Sequence, residues 1–218
     1  MQAYLKSGSA EFLQDSRGVE GTFPSSLSLG NQHDCLGIAL EKKDAYTAGH
    51  CSRVEAFSAH LGLLCELNAE ELAILRAAAR LHDVGKIGIP DRILLKPDRL
   101  EPDEWEIMQT HSALGQQIVE AIVHPDASQV ARVVRHHHEA FDGTGYPDGL
   151  SGERIPVCSR IISLADSYDA MTTTRHHRQA RSHQQVMDVL RSERGTKFDS
   201  VVFGHFETLI AGSWPVSR

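Results

Sequence analysis

The amino-acid sequence predicts an all-α fold, a helical bundle with a metal site in its core. Apolar residues recur at helical spacing along most of the chain, and no segment alternates convincingly between apolar and polar residues. Histidine and aspartate residues fall on or at the ends of the predicted helices, where a bundle brings them together. A length of 218 residues suits one domain, or one domain with a short extension.

The helical pattern begins at about residue 31. Residues 1–30 are rich in Ser and Gly, and we expect them to form an N-terminal extension or linker with a short helix near Tyr4–Leu13. Residues 31–212 are expected to form the folded domain. Its first helices are indicated by two apolar series: Val54, Phe57, Leu61 and Leu64, then Leu72, Leu75, Ala78 and Leu81.

Proline and glycine positions delimit the helices, and Gly85 and Gly88 are expected to end the helix that leads to His82-Asp83. Pro102 is expected in the first turn of a helix over Asp103–Thr110, because that turn does not need the missing N–H. Further helices are expected at about 112–123, 128–138, 156–170, 182–192 and 200–211. Residues 139–156 contain several glycines and are expected to form a polar loop.

Composition limits the classes of function. A net charge of -7 argues against binding to a nucleic-acid polymer, although a local basic pocket for a small anion remains compatible with it. No apolar run is long enough to span a bilayer, and residues 1–30 lack the features of a signal peptide, so we expect a cytoplasmic protein without membrane association. The four cysteines lack CxxC spacing and are expected to be reduced thiols.

The most informative feature is the pair His82-Asp83, followed by Lys86 and by a second pair, His137-His138. Adjacent His and Asp residues supply an imidazole and a carboxylate at one point of the backbone, and a carboxylate can bridge two ions. The chain also has 13 histidines, which indicates metal or proton chemistry. The pattern is typical of a metal-dependent hydrolase.

A site for two ions needs ligands from several helices. The candidates are His50, His82, Asp83, His111, His137, His138 and Asp166. Taken singly, each histidine is more often a surface or hydrogen-bonded core residue, and His-Asp dipeptides occur by chance. The ordered set favours a metal site. The other histidines, including His136, are expected to have ordinary structural roles.

The chain resembles the HD-GYP domain, a branch of the HD metal-dependent phosphohydrolase superfamily. The matching stretches are Asp44–His50, His82–Pro90, His137–Pro147, Arg160–Asp166, Asp169–Met171 and Gly195–Asp199. The likeness covers about residues 31–210. The combination of HDxGK with HHExxDGxGYP is highly specific.

The resemblance implies an all-helical HD-domain fold and hydrolysis of cyclic di-GMP, a bacterial second messenger. The products would be linear pGpG, GMP or both, formed by a hydroxide that bridges two metal ions. It further implies one ion held by His50, His82, Asp83 and Asp166, and a second ion that Asp83 shares with His111, His137 and His138. Iron or manganese is favoured, although a mixed nitrogen and oxygen ligand set also suits zinc.

Basic residues near the ligands match family positions that contact phosphate. Lys86, one helical turn past Asp83, is expected to act with Asp83 in catalysis and to bind substrate. Arg175 and Arg178 match phosphate-binding cations of the family. Without the resemblance, all three would be interpreted as ordinary solvated charges.

The loop residues Gly145, Tyr146 and Pro147 have more than one possible role. They are expected to contact substrate, to shape the wall of the site, or to contact diguanylate cyclase domains, and the sequence does not decide among these. Glu139 and Asp142 are expected to orient ligand histidines or to order the loop.

Two departures from the family affect the prediction. Tyr46 stands where some members carry a glutamate that binds a third metal, and a neutral phenol is a poor substitute, so we expect two ions. His176-His177 replace an aromatic residue and a proline between the two arginines, which weakens the expectation of substrate contacts there.

Two alternatives to cyclic di-GMP hydrolysis remain open. One is a catalytically weak or inactive module that binds the dinucleotide or a cyclase partner. The other is a phosphohydrolase for another nucleotide, such as cyclic GMP-AMP. The intact set of candidate ligands favours an enzyme.

Overall fold

A computed structural model describes residues 29–44, 47–173 and 181–212. Within these residues the chain forms α-helices and two 3-10 helices but no strand, apart from one isolated bridge between Arg194 and Phe198. The prediction of an all-α fold is therefore confirmed. The helices are α1 (Leu29–Lys43), α2 (Thr47–Leu64), α3 (Ala69–Leu81), α4 (Asp91–Leu94), α5 (Pro102–Gln109), α6 (His111–Glu120), α7 (Ala127–Arg135), α8 (Val157–Thr172), α9 (His183–Ser192) and α10 (Ser200–Ala211).

Helix α3 carries the chain into the core and ends at the candidate site. Asn68 caps its first turn, where the side chain accepts hydrogen bonds from the backbone N–H groups of Glu70 and Glu71. Three successive alanines on its buried part, at 77–79, permit close approach of neighbouring helices. Because α3 ends at Leu81, the next two residues, His82 and Asp83, lie buried at its carboxyl end.

A 3-10 helix, Val84–Gly88, follows directly and lies against the start of α6. The glycines here were expected only to end the preceding helix. A Cβ atom on Gly85 would lie 1.8 Å from the carbonyl oxygen of His111, so only glycine permits this approach. The contact brings the backbone beside Asp83 close to that of His111.

Helix α7 ends at Arg135, three residues before the predicted end at residue 138. The chain continues in tight turns, with the N–H of His136 bonded to the carbonyl of Val133. In a regular α-helix, successive side chains point in directions about 100° apart. Leaving the helix allows His137 and His138 to lie beside each other, with ring centroids 4.0 Å apart.

Aromatic residues fix α8 against α2. Phe57 of α2 packs against Tyr168 of α8 and Phe206 of α10, with ring centroids 5.3 and 5.7 Å apart. The packing places the face of α8 that carries Asp166 and Asp169 opposite the start of α2.

Other sequence expectations lie partly outside the described residues. The proposed extension and its helix near Tyr4–Leu13 fall outside them, and α1 begins at Leu29. Pro102 is the first residue of α5, as predicted. The four cysteines are free thiols. Within the described ranges, no helix combines the length and apolar character needed to cross a membrane.

Candidate metal centre

Asp83 lies between two groups of histidines and turns a different carboxylate oxygen toward each. Its Oδ2 lies 3.9 Å from Nε2 of His50 and 3.6 Å from Nε2 of His82. Its Oδ1 lies 3.8 Å from Nε2 of His111. The side chain is 4% exposed. One buried carboxylate thus faces both groups.

The first group contains His50, His82 and Asp83, whose candidate ligand atoms all lie within 4.8 Å of one another. Asp166 joins it from α8, with Oδ1 3.1 Å from Nε2 of His50. These residues come from the start of α2, the end of α3 and the middle of α8. The fold therefore brings residues from three separate helices together.

The second group contains His111, His137 and His138, again with candidate ligand atoms within 4.8 Å of one another. The Nε2 atoms of His111 and His137 lie 3.4 Å apart. His111 begins α6, whereas the other two follow the end of α7. All seven predicted ligands are thus found in two adjoining groups that meet at Asp83.

Backbone carbonyl groups orient three of the imidazoles in the same way. Nδ1 of each ring faces the carbonyl oxygen three residues earlier in the chain, and a carbonyl only accepts hydrogen bonds, so Nδ1 is the donor. The Nε2 lone pair of each ring then points toward the centre. The pairs are His82 with Ala79 at 2.8 Å, His111 with Met108 at 2.8 Å, and His137 with Val134 at 2.5 Å.

Burial keeps the second group uncharged. It lowers the pKa of His138 to about 3 and holds that of His137 well below its usual value. It also lowers the pKa of His111. Neutral imidazoles with lone pairs converging at 3.4 Å repel one another, and a cation between them would relieve this repulsion.

The first group, by contrast, contains charged side chains. Burial would raise the pKa of Asp83, but Lys86 and the surrounding histidines outweigh it and hold the pKa well below its usual value. Burial likewise opposes, but does not overcome, the effect of His50 in lowering the pKa of Asp166. Burial also lowers the pKa of His50, yet hydrogen bonds to Asp166 and Asp169 raise it to about 9. A proton and a metal ion would compete for the Nε2 lone pair of His50.

The arrangement fits divalent metal ions. Nε2 of His82 is buried and has no hydrogen-bond partner among the described residues, and its lone pair faces the first group. An imidazole nitrogen with no partner is costly in a protein interior unless an ion or water completes it. Imidazole and carboxylate donors together suit iron, manganese or zinc.

Asp169 and Arg53 support His50 and were not predicted as site residues. Asp169 Oδ2 lies 2.7 Å from Nδ1 of His50, while Nε and Nη2 of Arg53 donate to the same carboxylate at 2.6 and 2.9 Å. The sequence did carry a signal. Asp166 and Asp169 are three residues apart on α8, as are His50 and Arg53 on α2, so each pair shares a helix face.

Lys86 and Tyr146 lie next to the ligands. Nζ of Lys86 donates to Oδ2 of Asp83 at 2.6 Å, and 21% of its side chain is exposed. The ring of Tyr146 lies 4.9 Å from that of His138 and 6.5 Å from that of His111. Arg175, Arg178, Tyr46 and His176-His177 lie outside the described residues.

Glu139 orders the loop that carries Tyr146. Its carboxylate accepts the backbone N–H groups of Asp148 and Leu150 at 2.8 and 3.1 Å. Gly145 passes so close to this segment that a Cβ atom would lie 2.1 Å from the backbone nitrogen of Ala140. The loop is therefore fixed by backbone contacts close to the second group.

Asp142 and Asp148 make further contacts within the loop. Asp142 accepts hydrogen bonds from the backbone and side chain of Thr144, and Pro147 follows Tyr146 through a cis peptide bond. Asp148 pairs with Arg135 and with Nε2 of His136. His136 thus has a structural contact, as expected for a histidine outside the ligand set.

Residues 35–202 match the sequence profile of the family described as HD domain. Among curated proteins, the chain is 37% identical to the cyclic di-GMP phosphodiesterase response regulator RpfG of Xanthomonas campestris pv. campestris, over 75% of this chain and 43% of that protein. It is 33% identical to 3'3'-cGAMP-specific phosphodiesterase 2 of Vibrio cholerae, over 81% of this chain and 34% of that protein. The chain thus spans less than half the length of these curated relatives.

A solved structure supports the fold. The crystal structure of the cyclic GMP-AMP specific phosphodiesterase V-cGAP3 of V. cholerae superposes with a TM-score of 0.65 at 21% identity, covering 84% of this chain and 49% of that one. The solved structure shows the likeness in fold, and the sequence matches show the family. The chain belongs to the HD domain family, and its His82-Asp83 pair and the loop that ends at Pro147 assign it to the HD-GYP branch.

Proposed function

We propose that this chain is a metal-dependent phosphodiesterase that hydrolyses cyclic di-GMP to linear pGpG, GMP or both. The observation that carries the proposal is the position of Asp83, whose two oxygens face two separate histidine groups. The names of relatives such as RpfG support a cyclic dinucleotide as substrate. Residues 31–212 would form the catalytic domain, preceded by an extension over 1–30.

In this proposal the chain holds two divalent ions, iron or manganese. Asp83 would supply one oxygen to each ion. When bound, such ions lower the pKa of water and offset negative charge on phosphoryl oxygens. The remaining ligands would be His50, His82 and Asp166 for one ion, and His111, His137 and His138 for the other.

Lys86 would bind a phosphoryl oxygen of the substrate. Its ammonium group is fixed by Asp83 and its side chain remains partly exposed, so it offers positive charge at the edge of the centre. A cation held in place there stabilises the charge that develops as the phosphodiester bond breaks. We propose the same kind of phosphate contact for Arg175 and Arg178.

The loop around Tyr146 would form one wall of the site. The phenol ring packs against His138, so it would cover one side of the second histidine group and restrict access of water there. Gly145 and Pro147 would contact substrate beside it. The exposed part of the same loop would also be the surface that a diguanylate cyclase domain contacts.

Cyclic GMP-AMP is a second candidate substrate. It is favoured by the sequence match to 3'3'-cGAMP-specific phosphodiesterase 2. The two cyclic dinucleotides differ in one base and share the phosphodiester, so the metal centre itself does not discriminate between them. Discrimination would come from residues that contact the bases.

A product assay tests the proposal. Protein purified without oxygen and loaded with Fe(II) or Mn(II) is incubated with each cyclic dinucleotide, and the products are separated by chromatography. We expect linear dinucleotide or GMP from the wild type but none from Asp83→Asn. Asp188→Asn, on the exposed face of α9, is the matched control and should retain activity. Binding of the dinucleotide without turnover at any metal would instead identify an inactive binding module.

A further inference from the structure

Trp105 is a large aromatic residue that helix α5 leaves 48% exposed. None of the residues of α5 is buried, so this helix is not held by a hydrophobic core of its own. A tryptophan residue exposed to this extent has apolar surface available for a ligand. Whether that surface can contact a substrate depends on where Trp105 lies relative to the metal centre.

Trp105 is one aromatic contact away from the candidate ligands. Its ring centroid lies 6.3 Å from that of Tyr146, with the two rings nearly perpendicular at 83°. Tyr146 in turn contacts His138, with ring centroids 4.9 Å apart. Only Thr110 separates the end of α5 from His111, the first residue of α6.

The first turn of α5 is held rigidly. Pro102 begins the helix, and the carboxylate of Glu104 accepts the backbone N–H of Glu101 at 2.8 Å. The same carboxylate pairs with Lys96 at 2.5 Å. The backbone N–H of Trp105 donates to the carbonyl of Glu101 at 2.8 Å. Trp105 is thus presented from a fixed backbone, which reduces the entropic cost of binding.

Charge around Trp105 favours a nucleobase over a phosphate group. Helix α5 carries Asp103, Glu104 and Glu106, and only Glu104 has a basic partner among the described ion pairs. Carboxylates repel phosphate, whereas an uncharged base with a large π surface is not repelled and stacks well on indole. A phosphodiester at the metal centre has its bases one sugar away, outside the histidine groups.

On the basis of the proposed phosphodiesterase function, we propose that Trp105, supported edge-to-face by Tyr146, stacks a purine base of the substrate while the phosphodiester lies at the metal centre. The pair therefore selects nucleotide phosphodiesters over simple ones. The competing structural role for Trp105 is to hold Tyr146 in place without contacting substrate.

Fluorescence tests the stacking directly. The chain has two tryptophans, so Trp214→Phe leaves Trp105 as the only indole. We expect saturable quenching of its emission by cyclic di-GMP, and by GMP at higher concentration, but none by ribose 5-phosphate, which lacks a base. Absence of quenching by cyclic di-GMP would overturn the proposal, and equal quenching by ribose 5-phosphate would do so too.

Kinetics separate stacking from support of the loop. Trp105→Leu should lower kcat/KM for the cyclic dinucleotide by about 10- to 100-fold, mostly through KM, whereas Trp105→Phe should retain most of it because it keeps an aromatic face. Hydrolysis of methyl p-nitrophenyl phosphate should be unchanged in both variants, since its aryl group is bonded directly to the phosphate at the metal centre. Equal losses on both substrates would assign Trp105 to support of Tyr146 and overturn the proposal.

The two tests also distinguish failure of this inference from failure of the proposed function. If wild-type protein hydrolyses neither compound at any metal, phosphodiesterase activity is contradicted. The quenching experiment still decides whether a purine base stacks on Trp105, because it requires binding and not turnover.

Discussion

Lys86 donates a hydrogen bond of 2.6 Å to Oδ2 of Asp83, the same oxygen that faces His50 and His82. Burial lowers the pKa of Lys86, but Asp83 outweighs it and raises the pKa above its usual value, so the ammonium stays charged at neutral pH. A cation therefore lies at the edge of the proposed metal centre without belonging to the ligand set.

The first prediction tests whether Lys86 acts on the substrate and not on metal binding. Replacing Lys86 by Met should lower kcat by about 10²- to 10³-fold, because a fixed group that stabilises the charge developing on phosphate is lost. Metal content measured by mass spectrometry should remain that of the wild type. Lys86→Arg, which keeps the charge, should be less impaired. A fall in metal content that parallels the fall in kcat would show that Lys86 supports the ligands instead.

The second prediction concerns Asp169, which orients His50 through a 2.7 Å contact with Nδ1. Asp169→Asn should weaken metal affinity by about 10- to 100-fold, the usual effect of removing a group that orients a ligand. Competition with a chelator measures this affinity. Arg53→Ala should have a smaller effect in the same direction, because Arg53 acts on His50 only through Asp169.

Arg76→Ala is the matched control for Arg53→Ala. Arg76 is an exposed arginine whose guanidinium lies 3.9 Å from Glu55, away from the ligands. Its replacement should leave metal affinity unchanged. Equal losses in the two arginine variants would indicate a general effect of surface charge and contradict the orienting role of Arg53.

The third prediction concerns Gly85. A methyl group there would lie 1.8 Å from the carbonyl oxygen of His111, so the 3-10 helix and α6 must separate. Gly85→Ala should destabilise the fold by about 1–3 kcal/mol or more, as overpacking does. It should also reduce metal content, since Asp83 and His111 move apart. Urea unfolding and metal analysis measure the two effects.

Gly37→Ala provides the comparison. Gly37 lies within α1, and a Cβ atom there would meet nothing within 4 Å. Because alanine favours the helix over glycine, this change should stabilise the fold by up to about 1 kcal/mol. An unperturbed Gly85→Ala protein would show that the contact with His111 is not required.

The fourth prediction is a pH dependence at Asp148. Hydrogen bonds from Arg135 and His136 hold the pKa of Asp148 well below its usual range. A carboxylate with a lowered folded-state pKa stabilises the fold above its unfolded pKa of about 3.9, and this contribution is lost as the pH falls through the folded pKa. The wild type should exceed Asp148→Asn in stability at pH 7, by at most ~1 kcal/mol because the pair is partly exposed.

The difference in the free energy of unfolding between wild type and Asp148→Asn should shrink as the pH is lowered below about 4. Urea unfolding repeated at successive pH values measures it. Asp188→Asn is again the control, since Asp188 is exposed and accepts a hydrogen bond from Gln184 on the same helix. Its effect on stability should be small at every pH. A constant gap between wild type and Asp148→Asn down to the lowest pH would contradict the ionic role of Asp148.

The helices and the candidate ligands could be predicted from sequence for different reasons. Apolar spacing reports which face of a helix is buried, so the segments around Leu75 and Ile161 were recognised as helices. The ligands were recognised because their order along the chain matches a specific family motif. The structure brings all seven together, whereas their binding of metal remains a prediction.

Other features of the site depend on which helices pack against each other, and the spacing of residues in the sequence does not show which helices do so. The three-residue spacing of His50 and Arg53 places both on one face of α2, but not opposite Asp169. The early end of α7 goes with two turns, in which the N–H groups of His136 and Glu139 bond to carbonyls three residues back, and apolar spacing does not predict where such turns replace the helix. The sequence predicts Gly85 only as a residue that ends a helix, because its closeness to His111 exists only in the folded chain.

The way the imidazoles are oriented has a consequence for mutational robustness. His82, His111 and His137 are aimed by main-chain carbonyls, which no side-chain substitution removes. His50 alone among these four relies on an acidic side chain. We therefore expect substitutions that misdirect an imidazole without removing a ligand to concentrate at Asp169. Substitutions at Ala79, Met108 and Val134 should be tolerated as long as the backbone keeps its conformation.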